Sequence, residues 1–423
     1  MASVREVLRG NVLVLTLGTV IRQLSLFITF PFFSLYVQAL GGSMVDIGIV
    51  NSLRPLAAMF IYPIAGALAD SYGRVKIIVA MGYLNAALYL LYMLAPDWRF
   101  LAAGTLLNGL LVFTFPASSA LLADSLPPRL RGRGFAAITA IPGFVGILSP
   151  FIGGYLITLL GVEHGMRRLY GATVAATALI ATINLKLLKE TLKRPPGDDG
   201  GLASVVRRSY SGLWETLKWM PRGLRVYALI LVLGLFFNSL TGPYWVVYGT
   251  GVIGLSGFEW GSILLVANVV QVLLSLPAGA LIDRYDKRKT LALALALSVT
   301  PVLAFPFARG FLGTLLVFVP VAVANAFMLP AANALMADMV LSERRGRVMA
   351  ALGRGMIIVN FRGGGGGGPG MGFLLTFPSI LGFLLGGYVY NAGPANPWLL
   401  LGGALAVSAL LSALFIEPHE QEG

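Results

Sequence analysis

Long apolar runs recur along the whole chain, and their number restricts the fold more than any other feature. The 423 residues are 57% hydrophobic and only 12% charged, whereas a soluble domain has about 25% charged residues. A membrane-crossing helix needs about 20 apolar residues. Because lipid offers no hydrogen-bond partners, a run of this kind satisfies its backbone N–H and C=O groups mainly by forming a helix. The sequence therefore predicts an all-α membrane protein with twelve spans, numbered 1 to 12, at 11–37, 46–67, 76–95, 99–121, 135–158, 169–188, 225–249, 258–281, 290–308, 311–336, 370–391 and 398–416.

Lysine and arginine are distributed unevenly between the two sides of these spans. Of the 31 basic residues, 25 fall on the side of the termini, a count that includes Arg362, four fall on the other side, and Arg22 and Arg54 fall inside spans. Because cytoplasmic loops are the basic ones, both termini are predicted to be cytoplasmic. The predicted location of the protein is the plasma membrane. The same distribution explains the net charge of +13, so no nucleic-acid partner is predicted.

An eleven-residue stretch between spans 2 and 3 returns between spans 8 and 9. Residues 66–76 and 279–289 share the pattern Gly-Ala-Leu-x-Asp-x-Tyr-x-(Arg/Lys)-x-Lys at an offset of 213. A repeated loop between hydrophobic segments indicates a duplicated membrane unit. The predicted domains are two pseudo-symmetric six-helix bundles at 1–188 and 225–416, a cytoplasmic linker at 189–224 and a cytoplasmic tail at 417–423.

The second half of the chain carries an insertion next to span 11. The repeat offset changes from 214 to 233 between residues 348 and 385, which leaves 19 extra residues around 350–370, among them the glycine run 363–368. Six glycines cannot form an ordered helix against lipid. We expect 350–369 to be an irregular inner connection, with span 11 starting near Gly370; the alternative is a break inside span 11 that lines the pathway.

The repeated loop resembles the loop between the second and third helices of the major facilitator superfamily, whose consensus is roughly Gly-x-Leu-Ala-Asp-Arg-x-Gly-Arg-Arg. The resemblance implies that family's fold, transport by alternating access, and closure of the cytoplasmic side by a cluster of loop residues. Asp124 and Asp338, which end spans 4 and 10, are available as partners for the basic loop residues. The predicted gate residues are Gly66, Asp70, Gly73, Arg74, Asp124, Gly279, Asp283, Lys287, Arg288 and Asp338.

Span 5 also resembles drug exporters of that superfamily. Residues 149–154 nearly match the exporter sequence Gly-Pro-x-x-Gly-Gly, and Pro150, Gly153 and Gly154 predict a kinked, tightly packed helix. Thr105 stands where proton-coupled exporters have an arginine in helix 4. The resemblance favours export over import.

The polar residues inside the spans are the candidates for the substrate pathway. No Asp, Glu or His lies in the middle of a span, and charges within a bilayer usually face a cavity. For each Asn the alternative is a hydrogen bond between helices, and for each Arg it is a structural bond to the backbone or an amide. The predicted pathway residues are Arg22, Gln23, Asn51, Arg54, Asn108, Asn238, Tyr244, Asn268, Gln271 and Asn325.

These features favour a transporter of a small organic solute. Because Arg stays protonated and suits carboxylates and phosphates, an organic anion is the predicted substrate; the alternative is proton-coupled export of neutral or cationic amphiphiles. A membrane enzyme and a non-transporting sensor are the other classes, but the spans contain no catalytic constellation. With no cysteine in the chain, no disulfide, iron–sulfur or thiolate zinc site can form, and no other cofactor or metal is expected. The predicted protein is a monomer in the bilayer, and it works either with a coupling ion or without one.

Overall fold

A computed structural model describes residues 8–111, 114–192, 219–282, 284–340, 345–353, 355, 357–363 and 372–416. These residues form helices and contain no β-strand. In chain order the spans are Asn11–Thr29 with Phe33–Ala39, Met44–Tyr72, Arg74–Met93, Trp98–Leu110 with Thr114–Ser125, Arg131–Gly146 with Ser149–Leu160, Val162–Leu187, Arg222–Thr241 with Tyr244–Gly251, Gly257–Ile282, Lys287–Ala304, Gly310–Met339, Arg345–Leu352 with Phe373–Ala392, and Asn396–Phe415.

Eleven of these segments are long and apolar enough to cross a membrane. The exception is span 4, which occurs as two shorter helices, Trp98–Leu110 and Thr114–Ser125. Spans 1, 5 and 7 are also interrupted, and a proline stands at each interruption: Pro31, Pro150 and Pro243. Proline removes one helical hydrogen bond and clashes with the preceding turn, so these breaks follow directly from the sequence.

The spans assemble into two bundles that correspond to the two halves of the chain. Span 1 contacts spans 5 and 6, span 2 contacts span 4, and span 3 contacts span 6; in the second half the corresponding pairs form, with span 7 on spans 11 and 12, span 8 on span 10 and span 9 on span 12. Between the halves, span 2 contacts span 11 and span 5 contacts span 8. In the repeat, span 2 corresponds to span 8 and span 5 to span 11. The contact of span 2 with span 11 is therefore equivalent to the contact of span 8 with span 5, as a pseudo-two-fold relation between the bundles requires.

We call the end of the molecule that carries the repeated basic loops the basic end, and the other end the opposite end. Glycines bring the two bundles together at the opposite end. A Cβ on Gly154 of span 5 would lie 2.1 Å from the carbonyl oxygen of Gly257 on span 8. A Cβ on Gly387 of span 11 would lie 2.5 Å from the carbonyl oxygen of Met44 on span 2. Only backbone can fit at these points, as is usual where membrane helices touch without a side chain between them.

Gly154→Ala should therefore force the bundles apart and lower the thermal stability of the detergent-solubilised protein. The expected loss is about 1–3 kcal/mol, the usual cost of overpacking a close contact. Gly143→Ala is the matched control, since Gly143 lies in the same span and has no atom within 4 Å of the position that a Cβ would take. Differential scanning fluorimetry of the two variants tests this; equal melting temperatures would contradict the close contact.

The largest buried side chains lie in the second bundle near the opposite end. Trp245 stacks edge-on or tilted against Phe305, Phe318 and Trp398, with ring centroids 4.5–5.5 Å apart. Trp245, Trp398 and Phe305 are almost completely buried. Aromatic pairs of this geometry add to the burial of their surface, so spans 7, 9, 10 and 12 form one rigid unit.

The insertion breaks span 11 into two helices. The sequence predicts an irregular connection at the inner end of the span, but the described part of the insertion lies inside the bundle. The helix continues to Leu352, and the second helix begins at Phe373. Of the described residues between them, Ile358, Val359 and Arg362 contact polar side chains about halfway along spans 7, 10 and 8 respectively. They therefore follow the second predicted arrangement, a break that runs inside the bundle, and Arg362 belongs to the bundle interior and not to a cytoplasmic connection. Residues 364–371, with most of the glycine run, lie outside the described residues.

Candidate transport pathway and basic-end clusters

The first copy of the repeated loop is joined to the ends of spans 4 and 6. The guanidinium Nη1 of Arg74 bonds the carboxylate of Asp124 and donates to Thr191 Oγ1 at 3.2 Å. Thr191 Oγ1 in turn lies 3.4 Å from the same Asp124 carboxylate. The structure thus brings together two predicted gate residues, Arg74 and Asp124, and adds a hydroxyl that the sequence did not suggest.

Glu190, just beyond span 6, supplies a carboxylate to the start of span 3. Its Oε2 accepts a hydrogen bond of 3.0 Å from the backbone N–H of Val75, in the first helical turn. A negative charge is favourable there because the first N–H groups of a helix have no internal acceptor. The repeated loop suggests Asp70 as the source of such a carboxylate. Glu190 is far from Val75 in the chain, so no local pattern identifies it.

The second copy has the same ion pair but a different cap. Lys287 Nζ lies 2.5 Å from Asp338 Oδ2, which selects Lys287 over Arg288 as the partner of Asp338. Asp286 is the N-cap of span 9 and accepts from the N–H groups of Arg288 and Lys289 at 2.9 and 3.2 Å. Asp286, at the position of Gly73 in the first copy, therefore caps span 9 from within the loop. In the first copy the carboxylate at the start of span 3 comes from Glu190, outside the loop.

Two glycines among the gate candidates differ in what they do for the backbone. Gly73 joins spans 2 and 3 with a φ of +89°, a conformation that glycine adopts at little cost. Gly279 lies within span 8 and has open space where a Cβ would be. Of the other gate candidates, Asp283, the Asp70 side chain and the surroundings of Gly66 lie outside what the structure describes.

Arg22 and Arg54 come together about halfway through the first bundle. They lie close enough to repel each other electrostatically, and both act on Tyr89 of span 3. Among the described residues neither has a carboxylate within 4 Å or a hydrogen bond, and Arg54 Nε is buried without a partner. Arg22 is exposed and so borders accessible space. The two cations are thus left without a counter-charge at mid-membrane depth.

Several other pathway candidates make bonds that hold helices in place. Asn51 donates to the Ile47 carbonyl of its own helix at 2.8 Å, and Asn108 donates to Asn85 of span 3 at 3.2 Å. Tyr244 donates to the Met44 carbonyl across the bundle interface at 3.0 Å. The bond of Asn108 joins two helices, as the structural alternative for the Asn residues supposes, whereas the bond of Asn51 lies within its own helix.

Two further pathway candidates and the small residues of span 5 lie in close helix contacts. Asn268 is buried, with its Oδ1 unpaired among the described residues. Gln23 lies against Gly146 of span 5. A Cβ on Gly153 would lie 2.3 Å from the Ile28 carbonyl oxygen, and the Pro150 carbonyl oxygen lies at a similar distance from a Cβ on Gly261 of span 8. The small residues of span 5 therefore permit contact on both sides of that helix.

The pathway candidates of the second bundle bind the inserted segment. Asn325 donates Nδ2 to the Val359 carbonyl at 3.0 Å and accepts from the Val359 N–H at 2.8 Å. Asn238 donates to the Ile358 carbonyl at 2.9 Å and accepts from the Asn360 N–H at 2.6 Å. The amides of spans 7 and 10 thus satisfy backbone groups that have no helical partner, as a non-helical segment at this depth requires.

The arrangement as a whole defines a class of protein. Two related helical bundles meet around a mid-membrane region with uncompensated arginines, and each bundle has an ion pair at its basic end. No group of three or more potential metal ligands of the His, Cys, Asp and Glu types occurs among the described residues. Two related helical bundles in one membrane chain are the architecture of many membrane transporters.

Comparison with known proteins identifies the family. The sequence model of the Major Facilitator Superfamily matches residues 15–356 and 227–423, so the chain belongs to this superfamily of transporters. It is 27% identical over 357 residues to Multidrug resistance protein MdtG of Escherichia fergusonii, covering 81% of this chain and 83% of that protein. The MdtG of Klebsiella pneumoniae is 25% identical over 353 residues, covering 81% and 82%.

Solved structures with the same fold are more distant in sequence. A variant of the nucleoside transporter NupG has a TM-score of 0.70 at 14% identity, with 96% of this chain and all of that chain covered. The human organic anion transporter MFSD10 has a TM-score of 0.61 at 18% identity, with 95% and 98% covered. At these identities the likeness establishes the fold alone.

Proposed function

We propose that this transporter exports organic anions across the plasma membrane by alternating access, with both termini in the cytoplasm. The observation that carries the substrate class is the Arg22–Arg54 pair, which has no acidic partner among the described residues. Two like charges at mid-membrane depth are costly, and a bound carboxylate or phosphate would offset that cost. Arginine also suits such anions because its planar guanidinium can donate two parallel hydrogen bonds.

Direction and coupling belong to the same proposal. The MdtG relatives are named for multidrug resistance, which supports export, and the excess of basic residues on one side supports cytoplasmic termini. The spans offer no carboxylate or histidine at mid-depth, so a coupled proton would travel on the substrate's own acid group. We propose that the protein works as a monomer.

A panel of ligands tests the substrate class. Purified wild-type protein is mixed with benzoate, succinate, citrate, phenyl phosphate and carboxyfluorescein, and separately with ethidium and tetraphenylphosphonium, and its melting temperature is measured. A ligand that binds the native state raises that temperature, and hits are then followed as flux from proteoliposomes. We expect stabilisation and flux with anions. Response to the cations alone would favour the second candidate, the export of cationic amphiphiles suggested by the relatives' names.

The basic-end ion pairs are proposed to act in gating. Each pair holds the ends of two spans within one bundle, Arg74 with Asp124 and Lys287 with Asp338, while the glycine contacts join the bundles at the opposite end. We propose that each pair orders the loop between its two spans when the basic end is closed and is weakened when that end opens, so that its loss shifts the balance of the two conformations. Asp124 is 42% exposed against 12% for Arg74, so the pair is expected to be worth only about 1 kcal/mol.

Asp124→Asn should therefore slow transport about two- to fivefold and change substrate affinity less. A change of about 1 kcal/mol in the balance of two conformations gives an effect of this size. Glu163→Gln is the matched control, since Glu163 pairs with Arg167 at 3.0 Å within one helix at the opposite end. Initial rates and equilibrium binding are measured on the same preparations. An Asp124 variant with wild-type rates would remove the gating role.

A further inference from the structure

The inserted segment has a side-chain pattern that belongs to a strand and not to a helix. Ile357, Val359 and Phe361 are buried, whereas Ile358, Asn360 and Arg362 between them are only partly buried. In an extended chain alternate side chains point to opposite sides. One side of this segment thus faces the core of the second bundle, and the other side faces away from it.

The buried side is held firmly in the second bundle. Phe361 packs edge-on against Phe318 of span 10, with ring centroids 5.0 Å apart, and the Asn238 and Asn325 amides bracket the backbone of Val359. At its far end the segment reaches the other bundle, where a Cβ on Gly363 would lie 3.3 Å from Pro31 Cα of span 1. The segment therefore lies between the bundles and covers the polar residues that would otherwise line the second half of the pathway.

The side that faces away from the core carries a cation. Arg362 donates from Nη2 to Gln271 Oε1 of span 8 at 2.8 Å. Among the described residues no carboxylate lies within 4 Å of Arg362. One amide oxygen orients the guanidinium and leaves its charge uncompensated, so further donors remain for a ligand. Without this segment the spans of the second bundle would have no basic residue at mid-depth.

We propose that residues 357–363 form the second bundle's wall of the substrate site and that Arg362 binds the transported anion from that side, opposite to Arg22 and Arg54. This inference rests on the proposed function and extends it. A substrate held by one bundle alone gives no reason for the two bundles to close around it, because a ligand shifts an equilibrium only by its differential affinity for the two states. Arg362 gives the second bundle a charged contact with the same ligand. Dianions, such as succinate with its two carboxylates or phenyl phosphate with its doubly ionised phosphate, suit this arrangement best.

Binding assays on Arg362→Gln in the full-length protein test the proposal, with succinate, phenyl phosphate and benzoate as probes. Loss of one charge-assisted hydrogen bond is expected to weaken binding about tenfold or more, most strongly for succinate and phenyl phosphate. Arg362→Lys keeps the charge and should recover part of the affinity. Gln271→Leu removes only the orienting amide and should have a smaller effect. Arg309→Gln, which removes an exposed arginine at the opposite end, should have none.

The outcomes separate a binding role from a structural one. If Arg362 only stabilised the segment, its loss would lower the melting temperature of the free protein and leave the relative affinities for the three anions unchanged, and that result would overturn the proposal. Anion binding that depends on Arg22 and Arg54 but not on Arg362 would overturn this inference and leave the proposed function standing. A wild-type protein that binds none of the anions would reject both.

Discussion

Replacing Arg22 or Arg54 by glutamine is expected to weaken anion binding about 10- to 100-fold, which corresponds to the loss of a charge-assisted hydrogen bond worth about 1.5–3 kcal/mol. The same variants should be as stable as the wild type or more stable in the absence of ligand. In the free protein the two guanidinium groups repel each other, and Arg54 Nε is buried without a hydrogen bond. Either substitution removes the repulsion, and Arg54→Gln also removes the unpaired Nε.

This opposite effect on binding and on stability distinguishes a ligand site from a structural bond. Both quantities come from one experiment, in which the melting temperature is measured with and without succinate over a range of concentrations. Arg309→Gln again serves as the control for loss of one positive charge. If Arg22 or Arg54 were a structural hydrogen-bond donor, glutamine would lower the melting temperature of the free protein, and the anion-binding assignment would fall.

Asn325→Leu should destabilise the protein strongly through the inserted segment. Asn325 is 2% exposed and satisfies both the N–H and the carbonyl of Val359. Leucine would leave both groups unpaired in the interior, at a cost of about 1–3 kcal/mol each, so a loss of at least about 2 kcal/mol is expected. The segment would then detach from span 10 and lose the register that places Arg362.

Asn51→Leu is the matched control for this prediction. Asn51 has the same side chain and is also buried, at 6% exposed, but it donates to the Ile47 carbonyl, which already accepts the helical bond of its own turn. Its loss should cost less than about 1 kcal/mol. Thermal unfolding in detergent gives the stabilities, and hydrogen exchange of the Val359 amide reports on the segment. An Asn325 variant with a protected Val359 amide would contradict the role of Asn325 in holding the segment.

Residues with the same side chain thus have different roles that the sequence could not separate. Asn51, Asn108, Asn238 and Asn325 are all predicted to be polar pathway groups. Asn51 bonds its own helix and Asn108 bonds span 3 of the same bundle, whereas the last two bind the insertion. A hydrogen-bond partner depends on what lies across the helix interface, and periodicity in one chain does not encode it. The role of Glu190 at the start of span 3 is not predicted from the sequence for the same reason.

What the sequence determined by itself is the membrane class, the repeat, the presence of two arginines inside spans and the approximate position of the spans, eleven of which are long and apolar enough to cross a membrane. These follow from length, hydropathy and chain order, because a bilayer imposes the same demands on every segment. Only the tertiary structure decided that the insertion at 357–363 runs inside the second bundle, and that Arg362 lies in the interior of that bundle, where it bonds Gln271 of span 8, and not in an inner connection. An extended segment at mid-depth is possible only where other helices satisfy its backbone, and those partners, Asn238 and Asn325, lie on spans 7 and 10, more than thirty residues away in the chain.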